Sequence, residues 1–248
     1  TPSGPDRSLE HRMHILYISH YFPPEMGAPA ARVHELSREW VRAGHRVTVL
    51  TGFPNHPTGV VPPEYRGRLF QRETRDGIEV VRTWLYAAPN RGTTRRILNY
   101  VSFMASAIAL GVPAVRSCDV VVATSPQFFV ACAGWAFSRL RNRPWVFEVR
   151  DLWPDSIEAV EAIRSRAVLG GLRRVESFLY RSADRIVAVA RSTPRILGER
   201  GFDVEKMHVV PNGIDPDFFR PGPRDNEVRR RYAGPGDFLV SYIGTHGM

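Results

Sequence analysis

The chain has 248 residues, 43% of them hydrophobic and 24% charged, which is typical of a soluble globular protein that can bury a core. Its two cysteines, Cys118 and Cys132, are too few for a disulfide framework and form no CxxC pair, which argues against a zinc site. The net charge is +9, and nearly all of the positive charge comes from arginine. This charge fits either an arginine-rich coding bias or a surface that meets anions. The clustering of basic and aromatic residues that is typical of nucleic-acid modules is missing, so we expect no nucleic-acid partner.

The first twelve residues are polar and lack the apolar centre of a secretory signal. We expect residues 1–12 to be either a disordered extension or a remnant of the cloning, with Met13 as the native start. The absence of a signal in these residues leads us to expect a cytoplasmic location.

Short β-type runs then alternate with helical stretches, which predicts an α/β fold with a mainly parallel sheet and crossover helices. The first run, 14–19, is almost continuously apolar, as in a strand covered on both faces. The predicted strands are 14–19, 46–51, 69–74, 78–84, 119–123, 145–149, 185–189 and 207–210. The predicted helices are 30–43, 93–112, 127–139, 166–181 and 193–200.

Glycine and proline indicate where these elements end. Gly44 is expected to cap the first helix, and Asp76-Gly77 predicts a two-residue hairpin. The stretch 52–67 contains several prolines and is expected to be a long irregular loop, a feature that is usually functional or mobile.

The composition changes at Asp215, where proline and glycine become crowded around a short charged helix at 226–232. We therefore predict a Rossmann-like domain at 13–214, a linker at 215–237, and the first strand of a second domain at 238–248. The chain stops shortly after that strand begins, so we expect a fragment that lacks the rest of the second domain.

Three loops are expected at the carboxyl edge of the sheet, where open α/β sheets bind ligands. The first contains Glu25 and Gly27, and the glycine would let the backbone approach a phosphate at the next helix N-terminus, although a plain turn also accounts for this loop. The second contains Ser125 and Pro126, and the third begins with Arg150-Asp151. The first loop lacks the GxGxxG spacing, which disfavours a nicotinamide enzyme.

Several stretches together resemble the retaining GT-B glycosyltransferases of family 4, and most closely the WbuB-like, colanic-acid-type subgroup that builds bacterial surface polysaccharides. The resemblance spans roughly residues 13–248. It is carried by 14–32, with Tyr21-Phe22-Pro23-Pro24-Glu25, and by 95–100, 150–156, 184–192, 209–215 and 244–248.

The resemblance implies two Rossmann-like domains facing each other across a cleft. It implies a nucleotide-sugar substrate, UDP-linked in our expectation, no cofactor, and a glycan or polyprenyl-diphosphate-linked acceptor. The acceptor cleft would include Glu25, Ser125 and Pro126. The donor phosphates would meet Gly27 and the first turn of the second domain, Thr245-His246-Gly247. The family's paired-glutamate motif does not occur in this chain, so we expect the fragment alone to be inactive.

The chemistry of retaining sugar transfer suits the third loop. Its transition state is oxocarbenium-like, and a nearby carboxylate stabilises that charge. We predict that Asp151 contacts the sugar and that Arg150 binds phosphate or holds Asp151. An Arg–Asp pair that only fixes the loop explains the same residues. Glu148 and Asp155 are weaker carboxylate candidates, and no cluster of metal-ligating residues is evident.

The longest apolar run, 97–115, follows Arg95 and Arg96. Polar residues, glycine and proline interrupt it, which argues against a transmembrane helix. Two alternatives stay open: a helix buried against the sheet, and a helix at the inner membrane surface whose arginines meet lipid phosphates.

Other functions fit part of the pattern. A GT-B nucleotide-sugar epimerase or hydrolase would need a site for water or proton transfer, and no carboxylate cluster indicates one. A non-catalytic acceptor-binding half of a split transferase also fits a chain that ends early in the second domain.

Overall fold

A computed structural model describes residues 12–89, 92–125, 127–152, 165–234 and 236–242. The chain divides into two compact units, Thr1–Asn212 and Gly213–Met248. This division lies two residues from the domain boundary expected after residue 214. Among the predicted features outside the described residues are Pro126, Asp155 and Thr245-His246-Gly247.

The first unit is built on an eight-stranded sheet with the order β3-β4-β2-β1-β5-β6-β7-β8. All neighbouring strands pair in parallel except β3, which is antiparallel to β4. The strands are β1 His14–Ile18, β2 Arg46–Gly52, β3 Phe70–Arg75, β4 Ile78–Thr83, β5 Val120–Thr124, β6 Trp145–Val149, β7 Arg185–Ala188 and β8 Met207–Val209.

Helices connect the parallel strands. They are α1 Ala28–Arg42, α2 Thr93–Ser106, α3 Phe128–Arg141, α4 Arg166–Ser182 and α5 Ser192–Glu199. One hydrophobic cluster includes Leu16, Phe103 and Phe137, and a second includes Tyr17, Val33 and Val80. Because successive strand residues point to opposite faces, Leu16 and Tyr17 of β1 belong to different clusters, and the central strands are apolar on both faces.

The turn predictions are confirmed by backbone geometry. Gly44 follows α1 with φ of 89°, and its N–H bonds the carbonyl of Val41. Asp76 and Gly77 both have positive φ, 51° and 77°, as a two-residue hairpin between β3 and β4 requires. The first helix begins at Ala28, two residues earlier than predicted, because Pro29 fits its first turn.

The helix at 93–112 is longer and less regular than predicted. After α2 the chain continues through a π-helical segment, Ala107–Gly111, into a last turn, Val112–Ala114. Phe103 and Ala107 are buried in the core, whereas Ile97 and Leu98 are exposed. By length and composition alone, Thr94–Ala114 is the one helix of the described chain that could cross a membrane. Its packing on the sheet provides another reason for its apolar character.

The second unit contains one short helix among its described residues, α6 Glu227–Tyr232, capped by the Asn226 side chain. The strand expected from residue 238 is wrong over the described residues 238–242, which have no regular secondary structure. A strand needs a neighbour for its backbone hydrogen bonds, and none is paired with this segment. Phe238 and Val240 are accordingly exposed.

The helix α3 approaches the sheet closely at Gly134, and this contact generates a stability prediction. A Cβ at Gly134 would lie 2.4 Å from Cβ of Ala123 on β5. We expect Gly134→Ala to lower the free energy of unfolding by about 1–2 kcal/mol, because overpacking exceeds the gain in helix propensity. Gly170→Ala in α4, where a Cβ meets open space, should raise it by about 0.5–1 kcal/mol. Urea unfolding of both variants measures the difference, and a loss of equal size in both would contradict this account.

Candidate functional site

The carboxyl edge of the central strands is organised by a buried ion pair. Glu148, the fourth residue of β6, accepts hydrogen bonds from Nε of Arg32 at 2.9 Å and from the Tyr17 hydroxyl at 2.7 Å. The side chains of Arg32 and Glu148 are only 5% and 3% exposed. Glu148 was predicted as a weak catalytic candidate, and this is corrected: both of its oxygens are engaged inside the fold.

Arg32 also holds the segment that follows β8. Its Nη2 donates to the carbonyl of Val210 at 2.9 Å, and its Nη1 to the carbonyl of Pro211 at 3.0 Å and to Oδ1 of Asn212 at 3.2 Å. One guanidinium therefore connects α1, β6 and the last residues of the first unit. Charge-assisted bonds of this kind fix geometry strongly in a buried site.

The loop after β6 is positioned by Ser125, which follows β5. Its Oγ accepts the backbone N–H of Arg150 at 2.7 Å and of Asp151 at 3.4 Å. Ser125 was expected to line the acceptor cleft, but it is buried and its hydroxyl serves the neighbouring loop. Ser125 and Asp151, expected at the same edge of the sheet, are thus in direct contact.

Arg150 and Asp151 differ in their surroundings. Nη1 of Arg150 is buried and has no hydrogen-bond partner among the residues that the structure describes, and burial lowers the pKa of this guanidinium, partly offset by Glu148. Asp151 is exposed. Within the part of the chain that the structure describes, the two side chains form no ion pair with each other, so Ser125 rather than a mutual pair fixes this loop. A buried guanidinium with an unused donor is suited to an anionic ligand.

Gly27 lies at the start of α1 with φ of 134°, a conformation that favours glycine. No side chain caps this helix, and only Pro29 Cδ, at 3.8 Å, would contact a Cβ on Gly27. The backbone N–H groups of an uncapped helix start attract anions. Arg32 lies one turn further along α1, so Gly27 belongs to the same helix that contacts Glu148.

Glu25 has a structural role that the sequence did not indicate. Its Oε1 accepts the backbone N–H groups of Asn55 and His56, both at 2.9 Å, and the residue is buried. Burial raises the pKa of this carboxyl, opposed by its backbone hydrogen bonds. This carboxylate anchors the loop after β2, and the expectation that Glu25 lines the acceptor cleft stays a prediction.

A small polar pocket beside this loop was not predicted. It measures about 20 Å³ and is lined by His20, Tyr21, Asn55, His56, Ala88, Arg96, Asn99 and Tyr100. The ring of His20 is buried between Tyr21, Tyr100 and Phe103, and burial lowers its pKa to about 4, so it is neutral at physiological pH. The only signal in the sequence was the matching stretch 95–100.

A larger groove of about 460 Å³ lies on the other side of the β2 and β4 loops. Most of its lining is apolar, including Leu69, Trp84 and Tyr86, and Arg66 and Arg68 stand at its rim. Leu69 is 65% exposed, which is unusual for a large apolar side chain at a concave surface.

Among the described residues, no group of three or more His, Cys, Asp or Glu side chains could hold a metal ion.

The buried pair generates a prediction. Arg32→Met should lower the free energy of unfolding by about 3–5 kcal/mol, because Glu148 is left buried without its charge partner. Arg42→Met breaks the exposed pair with Glu39, whose side chains are 58% and 61% exposed, and should have little effect. Urea denaturation followed by circular dichroism compares the two, and an equally small loss in both would show that the buried pair is not needed for stability.

Several solved structures resemble this chain in fold. The catalytic domain of starch synthase IV from Arabidopsis thaliana, bound to ADP and acarbose, matches with a TM-score of 0.57 at 12% identity, over 84% of this chain and 53% of that chain. HepE from Anabaena in complex with UDP-glucose matches with 0.55 at 15% identity, over 89% and 50%. Sucrose-phosphate synthase from Thermosynechococcus elongatus matches with 0.51 at 16% identity, over 81% and 89%.

At these identities the likeness shows the fold, the Rossmann-like α/β domain of GT-B glycosyltransferases. The chain spans about half the length of the starch synthase and HepE structures. No curated protein sequence matches the chain. Residues 27–213 match the family described as "Glycosyl transferase 4-like domain". The matched stretch begins at Gly27 and includes strands β2 to β8. The chain therefore belongs to the glycosyl transferase 4-like domain family.

Proposed function

We propose that this chain is the acceptor-side half of a retaining glycosyltransferase that transfers a sugar from a nucleotide-sugar, UDP-linked in our proposal, to an acceptor in bacterial surface polysaccharide synthesis. The observation that carries the proposal is the loop after β6, where Ser125 fixes the backbone of Arg150 and the exposed Asp151, and where Nη1 of Arg150 is buried without a partner among the described residues. Family membership and the nucleotide complexes of HepE and starch synthase IV support the same reading.

In this proposal the donor diphosphate meets Gly27 and Arg150. The uncapped start of α1 offers backbone N–H groups and the positive end of a helix dipole. The Arg150 Nη1 donor gains the partner that it lacks inside the protein. Thr245-His246-Gly247 remain proposed contacts of the same diphosphate from the second domain.

Asp151 would act on the sugar. As the bond to the leaving diphosphate lengthens, positive charge develops at the anomeric carbon, and a carboxylate close to it lowers the barrier. Ser125 is a positioning residue, because its hydroxyl fixes the backbone that carries Asp151. No cofactor is needed, since the donor is itself a substrate.

Asp151→Asn tests this role in the full-length transferase. We expect turnover to fall by about 10²-fold or more while the affinity for UDP changes by less than threefold, because the carboxylate acts on charge that exists only in the transition state. Turnover with the UDP-sugar and calorimetric binding of UDP measure the two effects. Asp76→Asn, in the hairpin at the opposite edge of the sheet, is the control and should retain full activity. Unchanged turnover in Asp151→Asn would exclude Asp151 from the reaction.

We also propose that the protein works at the inner face of the membrane with a polyprenyl-diphosphate-linked acceptor. The support is the apolar groove at Leu69, Trp84 and Tyr86 with Arg66 and Arg68 at its rim. Neither arginine has a carboxylate partner among the described residues, so their charge is available to anionic headgroups.

Matched leucine variants test membrane contact. Leu69→Asp should reduce binding to vesicles of 30% phosphatidylglycerol by about tenfold, because it places a negative charge in an apolar, arginine-flanked groove. Leu140→Asp on α3 is the control, since Leu140 is 62% exposed, close to the 65% of Leu69, but lies outside the groove. Flotation assays measure binding. Equal losses in both variants, or equal binding to neutral phosphatidylcholine vesicles, would exclude the groove as the contact.

A further inference from the structure

The small polar pocket beside the β2 loop is built from four parts of the chain, three of which supply its polar groups, while Ala88 comes from the segment after β4. His20 and Tyr21 follow β1, Asn55 and His56 follow β2, and the remaining polar groups come from the first half of α2. The Glu25 carboxylate does not line the pocket, but it accepts hydrogen bonds from the backbone N–H groups of two residues that do, Asn55 and His56. The walls are therefore fixed by buried bonds before any ligand arrives.

A network of amides forms one wall. Nδ2 of Asn99 donates to Oδ1 of Asn55 at 3.0 Å and to the carbonyl of Tyr86 at 2.8 Å. Nδ2 of Asn55 donates to the carbonyl of Phe53 at 3.1 Å. Because the Nδ2 groups of Asn55 and Asn99 already donate to acceptors in the protein, these amides fix the wall of the pocket. A ligand must therefore be bound by the other groups that line it.

Arg96 is the charged side chain that lines the pocket, and the Glu25 carboxylate lies behind the backbone of Asn55 and His56. Nε of Arg96 contacts the Tyr100 hydroxyl at 3.4 Å, and no carboxylate in the described ranges pairs with this guanidinium or lines the pocket. The pKa of His56 is lowered by burial and then by the charge of Arg96. An anion that entered the pocket would meet a guanidinium, an imidazole and tyrosine hydroxyls.

The size limits the ligand to a small group. A pocket of about 20 Å³ admits a few atoms, whereas sites for whole small molecules occupy about 300 Å³ or more. A sugar ring does not fit, but one tetrahedral oxyanion at the rim does, and phosphate oxygens match the fork of an arginine.

We propose that this pocket binds a phosphoryl group carried by the acceptor, with Arg96 as its main contact and His56 beside it. The proposal deepens the proposed function and rests on it, since it assigns a binding site to the phosphate of the acceptor. It places the acceptor phosphate on Arg96, at the loops after β1 and β2, and leaves Arg150 to the donor.

Neighbouring arginines give a matched test in the full 248-residue chain. Inorganic phosphate is titrated by calorimetry into the wild-type protein, Arg96→Ala and Arg95→Ala. Arg95 is exposed and does not line the pocket. We expect Arg96→Ala to weaken phosphate binding about tenfold or more, Arg95→Ala less than twofold, and Arg96→Lys by an intermediate amount.

The His56 imidazole is a second readout. Bound phosphate should raise the pKa of His56, because a negative charge next to the ring stabilises its protonated form. Carbon–proton NMR, with His56→Gln to assign the signal, follows this pKa with and without phosphate. The increase should disappear in Arg96→Ala and persist in Arg95→Ala, a result that a purely structural Arg96 would not produce.

Two further probes identify the source of the phosphate. Vesicles of phosphatidylglycerol that bind through Arg96 would assign a lipid headgroup, and phosphate binding without vesicle binding would assign a soluble phosphorylated acceptor. UDP that displaces phosphate in an Arg96-dependent manner would overturn the proposal, because the pocket would then belong to the donor. Absence of phosphate binding, or equal losses in Arg95→Ala and Arg96→Ala, would overturn it as well. None of these measurements needs sugar transfer, so a failure at Asp151 is distinguishable from a failure here.

Discussion

The ion pair between Arg32 and Glu148 is the interaction on which the carboxyl edge depends. Burying two charges is costly, and the cost is offset here because every oxygen of Glu148 and most donors of Arg32 have partners. The pair joins α1, which starts after Gly27, to β6, which ends two residues before Asp151. A site that must place a diphosphate and a sugar within fractions of an ångström needs such fixed supports.

The edge has two chemically different sides. On one side, Ser125 fixes the backbone of Arg150, whose Nη1 is buried without a partner among the described residues, and of the exposed Asp151. Around Arg96, donors surround a small pocket whose walls are fixed by Glu25 and paired amides. Our proposal places one substrate on each side of this edge and assigns the apolar groove to the hydrocarbon part of the acceptor.

The sequence predicted the fold well because local patterns determine it. Apolar runs, Gly44 and Asp76-Gly77 each predict structure from neighbouring residues, and the strands of the first unit start and end within a residue or two of prediction. The strand at 238 was wrong because pairing needs a neighbouring strand. The roles of Glu25 and Glu148 could not be predicted, since the sequence does not distinguish a glutamate that catalyses from one that anchors a loop. The polar pocket was missed because its walls come from segments about 80 residues apart.

The hydrogen bonds from Arg32 to the carbonyls of Val210 and Pro211 restrict the backbone of this segment. It fixes the chain up to Asn212, and the next residue, Gly213, has no Cβ and open space around it. The backbone torsions at Gly213 are therefore the first after the sheet that can change with little steric resistance. A change in these torsions comes after the Arg32 bonds along the chain, so it leaves the attachment of α1 to β6 and to the segment after β8 intact.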